Sequence, residues 1–125
     1  MKAELRIGNH IGQGEVMEIK ENVVRVKYTA DKERTSLIRY EDIQPIPLSE
    51  EVLLKSNFIA YANVFAFELR DLDLSIDVNF TKSGGYIVSI SDEKSDFSRV
   101  LGTTMKLHEL QNLIASFGEE LEVSL

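Results

Sequence analysis

A mainly β, α+β architecture is what this 125-residue sequence predicts, and three observations predict it. Short β-branched segments separated by glycine and charged turns fill the first 48 residues. One later stretch, Leu72 to Phe80, alternates apolar and polar residues and runs into a Gly-Gly reversal. A single segment near the C-terminus keeps its apolar residues at helical spacing. Together they divide the chain into a β lobe over residues 1–48 and, over residues 49–125, a short helix, an antiparallel meander and a C-terminal helix capping it.

In the first lobe, Leu5 to Ile11 leads through Gly12-Gln13-Gly14 into Glu15 to Lys20, and Glu21-Asn22 turns the chain into Val23 to Tyr28. Val24, Val26 and Tyr28 alternate with Val23, Arg25 and Lys27, as half-buried hairpin strands do. Thr35 to Tyr40 reads as a further strand after the charged turn Asp31-Lys32-Glu33. Four or so short strands in under 50 residues resemble, in pattern, a small SH3-like or Tudor-like barrel.

Pro45 and Pro47 cannot donate ladder hydrogen bonds and hold their predecessors extended, so this stretch is a stiff connector and the domain boundary. Ser49 offers an N-cap, Glu50 and Glu51 place negative charge in the first turn of a short helix, and Asn57 can close it in the left-handed conformation. Val64 to Leu69 reads as a strand, Leu72 to Phe80 as one with a buried and a wet face, and Tyr86 to Ile90 as its partner across Gly84-Gly85. Ser91 to Ser98 reads as an exposed loop. Thr103 or Thr104 can cap the last helix, whose stripe of Leu107, Leu110, Ile114 and Phe117 ends at Gly118. Its apolar face is expected to cover the meander, and Glu119 to Val123 to add an edge strand.

Composition excludes several chemistries. With no cysteine, disulfides, thiolate nucleophiles and thiolate-bound metals are ruled out. No apolar run reaches the roughly 20 residues of a bilayer span, and residues 1–8 lack the apolar core of a signal peptide, so the expectation is no membrane and a cytoplasmic location. Residues 1–48 carry eight basic and eight acidic side chains and residues 49–125 carry six and thirteen, which puts all of the net charge of -7 in the second part. Such a distribution opposes nucleic-acid binding, which depends on cations meeting phosphates.

Few residues form a pattern that chemistry requires. Asp71, Asp73, Ser75 and Asp77 have the alternate spacing of a calcium loop, but Ile76 stands where glycine is needed and Lys82 where the bidentate glutamate belongs. Strand alternation accounts for the same spacing. On the last helix Thr104, His108, Gln111 and Asn112 form a polar stripe, read either as an interaction surface or as structural polar contacts with a hydrogen-bonded histidine. Glu109 points about 100 degrees away from His108, so no local triad forms. Arg25, Lys27 and Arg39 make a candidate basic patch, interleaved with Tyr28 and Tyr40 but also with acidic residues. The glycines around His10 precede a hairpin and lack the lysine of a phosphate loop.

Three phrases carry a resemblance: Arg6-Ile-Gly-Asn9, Pro45-Ile-Pro-Leu-Ser-Glu-Glu51, and His108-Glu-Leu-Gln-Asn-Leu113 followed by Phe117-Gly-Glu-Glu-Leu121. They resemble a family of small, uncharacterised bacterial proteins associated with prophages and mobile elements. Phe117 replaces the family's threonine, and Ser56-Asn57 its aromatic-glycine pair. The resemblance implies no catalytic residue or cofactor. The sequence therefore points to a non-catalytic protein-interaction or accessory module without cofactor or metal, whose partner is a protein. A weak nucleic-acid binder using the first lobe is the alternative, and a carboxylate-based hydrolase a more distant one.

Overall fold

A computed structural model describes residues 5–92 and 94–125, leaving Glu93 and residues 1–4 of the N-terminal reading outside the described set. The chain divides into two compact units: Met1–Pro47 with Lys106–Glu120, and Leu48–Met105 with Leu121–Leu125. Both sheets are antiparallel throughout, and the described fold is mainly β with two short α-helices.

The first unit holds β1 (His10–Ile11), β2 (Gly14–Ile19), β3 (Val23–Tyr28) and β4 (Thr35–Arg39) in the order β1-β2-β3-β4. This is an open sheet. The expected barrel is not formed among the described residues: β1 contributes only two residues and pairs only with β2, so no strand pairing joins β1 to β4. Gly14 adopts φ +150°, and a Cβ there would lie 2.0 Å from the Lys27 carbonyl oxygen, so the strands approach as closely as they do because the position is glycine. Val24 and Val26 point inward and join Leu5, Ile11, Val16 and Ile43 in one core.

The α-helix Leu107–Ser116 belongs to this same unit. It was expected to cap the meander; it packs instead against β1. Buried Leu107, Leu110 and Ile114 make the apolar stripe, and two amides on its other side tie it to the N-terminal segment. Asn9 Nδ2 donates to Asn112 Oδ1 at 2.9 Å, the His10 amide donates to Gln111 Oε1 at 2.7 Å, and Gln111 Nε2 donates to the Gly8 carbonyl at 3.2 Å. An amphipathic stripe specifies that an apolar partner exists but not which one, and these polar contacts choose it. Its N-terminus is held by the Lys106 amide donating to Glu109 Oε1 at 2.9 Å, in place of the threonine cap expected. Pro47 bridges to Lys106 and the Leu107 amide donates to the Ile46 carbonyl, so the chain leaves and re-enters the unit at one place.

The second unit begins with α1 (Glu50–Leu54), making the helix Leu107–Ser116 α2. Ser49 Oγ accepts the Val52 amide at 3.2 Å, and Asn57 takes φ 64°, both as the sequence indicates. The sheet runs β5 (Ile59–Tyr61), β6 (Val64–Leu69), β7 (Leu74–Phe80), β8 (Tyr86–Asp92) and β9 (Ser98–Gly102) in chain order. One face carries Phe65, Phe67, Ile76, Val78 and Val88, all buried, with the Phe58 ring 5.7 Å from Phe67. Leu72 lies outside β7, in a single 3₁₀ turn, because Asp73 at φ 54° breaks the extended run. The stretch read as a loop from Ser91 is strand at both ends, and Glu119 to Val123 forms no strand. No described helix is long and apolar enough to cross a membrane.

Candidate interaction face

Antiparallel register sets the other face of the five-stranded sheet. Ile59 pairs with Ala66, Ala66 with Asp77, Asp77 with Ser89, and Ser89 with Val100. These five residues form one row across all five strands, since directly paired residues project to the same side. The row is graded by size. Ile59 and Val100 at the rims are 51% and 60% exposed, whereas Ala66 and Ser89 beside the centre are small and only 7% and 8% exposed. Tyr61 lengthens the rim on β5 at 54% exposure. The result is a trough with apolar walls and a carboxylate on its floor.

Asp77 is held from one side. Ser75 Oγ donates to its Oδ1 at 2.7 Å and Ser91 Oγ donates to its Oδ2 at 2.6 Å, and Ser75 and Ser91 themselves pair across β7 and β8. Two hydroxyls on two strands fix the plane of the carboxylate. Among the described residues no Lys, Arg or His nitrogen lies within 4.0 Å of it, although seven other ion pairs occur. The strand residues on this face include Glu68, opposite Ser75, and no lysine or arginine.

No family model, curated protein or solved structure matches this chain.

The residues singled out from sequence go elsewhere. His108 is fully buried, Gln111 and Asn112 are half-buried and hydrogen-bonded to the N-terminal segment, and Thr104 is exposed in the second unit. The polar stripe therefore does not form one open surface. Arg25, Lys27 and Arg39 do share a face, because Arg39 pairs with Val23 two residues before Arg25. Two of these charges are met there, with Arg25 Nε 3.7 Å from Glu18 Oε1 and Arg39 Nε 2.9 Å from Asp42 Oδ2, while Lys27 stands opposite Glu15 in the strand register. The Arg34 guanidinium lies over the Tyr28 ring at 5.8 Å, and Tyr40 packs, partly buried, against the core of this unit while its hydroxyl donates to the Lys20 carbonyl. An open cleft of about 450 Å³ beside Tyr28 and Arg34 is bordered by Gln13, whose amide is spent on Asp42 and Gln44.

The carboxylates of the calcium-like spacing diverge. Asp73 pairs with Lys94 at 2.8 Å, Asp71 lies in the 3₁₀ turn, and Asp77 alone reaches the trough. No group of three or more His, Asp or Glu side chains able to hold a metal occurs among the described residues. Alternation did place Ser75 and Asp77 on the wet face. What sequence could not supply was the β8 register that brings Ser89 and Ser91 beside them, or β9, which provides the Val100 rim.

Proposed function

We propose that this chain is a non-catalytic protein-interaction module, an accessory protein of phage or mobile-element origin, and that it engages its partner through the outer face of the second sheet. The row from Ile59 to Val100 carries this reading: exposed apolar side chains on both edge strands flank a fixed polar centre, the arrangement of apolar contact and orienting polar group found where proteins meet. Of the eleven exposed large apolar residues among the described residues, seven belong to the second unit, which supports that unit as the docking side. The nucleic-acid alternative loses support because the cations it would use already face carboxylates.

Affinity capture from the native host with the intact protein tests the reading. A partner should be retained by the wild type and lost with Val100→Glu and with Ile59→Glu, both exposed positions that tolerate charge without unfolding. Equal recovery by wild type and both variants would place the binding surface elsewhere.

A further inference from the structure

The trough has a chemical requirement that its shape alone does not state. A carboxylate offers about four acceptor positions, two on each oxygen. Ser75 occupies one on Oδ1 and Ser91 one on Oδ2, and both hydroxyls come from the same side of Asp77. One position on each oxygen is left for a further donor. A guanidinium brings five N–H donors and a full positive charge, so it can satisfy acceptor positions that neutral hydroxyls leave open. The neighbours Ala66 and Ser89 are too small to cover the carboxylate, and the apolar rims at Ile59, Tyr61 and Val100 suit the methylene stem and flanking side chains of a peptide.

Charge favours the same occupant. The second unit carries five basic and ten acidic residues, a net charge of -5, against nine and eleven, or -2, in the first. On the face itself Glu68 adds a second negative charge, and among the described residues neither carboxylate takes part in an ion pair. We infer that the outer face of the second sheet binds an arginine-bearing segment of the partner protein, with the guanidinium donating to Asp77. The inference rests on the reading of this face as an interaction surface. Five strands at ~4.8 Å spacing make the face about 19 Å wide, so a segment of about six extended residues crosses it from rim to rim.

The test uses the intact, isotope-labelled protein and a short alternating valine–arginine peptide, with valine–citrulline and valine–glutamate peptides of equal length. Citrulline keeps the shape of arginine and removes its charge. The arginine peptide should shift the amide resonances of Ile59, Ala66, Asp77, Ser89 and Val100, and the other two should shift them far less. Asp77→Asn, which preserves side-chain volume, should weaken binding by about tenfold or more while leaving the remaining spectrum in place. Should that variant unfold, the arginine-to-citrulline comparison on the wild type decides. Equal shifts by all three peptides on this row would overturn the arginine assignment and leave the face as an interaction surface. Shifts by none of them, or shifts confined to the first unit, would remove both.

Discussion

The two sheets treat charge on their outer faces in opposite ways. On the first, Glu18 reaches Arg25, Asp42 holds Arg39, and Glu15 stands opposite Lys27 in register, so the strand cations have acidic neighbours on the same surface. On the second, Asp77 receives hydroxyls and no cation. Exposed cross-strand ion pairs contribute little stability, about 0 to 1 kcal/mol each, but they leave a surface with no net demand for a partner. A carboxylate held by serines keeps a negative charge that no ion pair on its own surface neutralises among the described residues. The difference lies in how charge is placed within each sheet, which neither net charge nor residue count reveals.

The largest effect that would sharpen this contrast lies inside β7, where adjacent residues face opposite ways. Ile76→Asp should abolish the cooperative thermal transition of the second unit, at a cost above about 4 kcal/mol, because it places a charge on the apolar face between Phe67 and Ile90. A variant that melted like the wild type would mean that the two faces have been exchanged. Next in size is Leu110→Ala on α2, expected to cost about 2 to 5 kcal/mol. Amide exchange should then accelerate at Val24 and Val26 before it does at Val78; the reverse order would return the helix to the second unit.

A smaller effect depends on pH. Burial lowers the His10 pKa from its ordinary 6.5, with Lys27 and Lys32 adding to the shift and Glu15 opposing it. A histidine whose folded pKa is depressed binds its proton more readily when unfolded. Its contribution to stability is therefore present above about pH 6.5 and is lost as the pH falls. Chemical denaturation near neutral and mildly acidic pH should show a smaller drop for His10→Gln than for the wild type, and equal drops would rule out His10 as the group responsible. Smallest of all, Arg25→Ala should change stability by less than about 0.5 kcal/mol, since its ion pair with Glu18 is exposed on both sides. A loss of several kcal/mol in urea titrations would show that the first sheet's charges are structural after all.

Local chemistry was legible in the sequence wherever one residue decides the geometry. Ser49 caps α1, Asn57 closes it in the left-handed region, and Gly118 at φ +85° follows α2. Strands with one buried face announced themselves by alternation. What stayed hidden depends on partners distant along the chain. Residues 59–61 are exposed throughout and β9 is exposed over most of its length, so both edge strands lack the in-and-out signal that marks an inner strand. Barrel closure was expected from strand count, but closure needs a pairing between first and last strands that the two-residue β1 does not supply. For the candidate site, Ser75 and Asp77 could be assigned to one face from sequence, while the row needed four pairings in register.

The return of the chain to its first unit bears on the order in which the protein acquires structure. Asn9 and Asn112 are 103 residues apart, and so is the contact between Gly8 and Gln111. Every pairing in the second sheet, by contrast, joins strands that are consecutive in the chain. Bringing remote segments together costs loop entropy before their contacts repay it, so short-range hairpins form first. During synthesis the middle of the chain has all its strands available while the opening sheet still lacks α2. The nascent protein thus passes through a stage in which the second sheet can be complete while the first unit still lacks α2, with Ile11 and its core neighbours waiting for Leu107, Leu110 and Ile114.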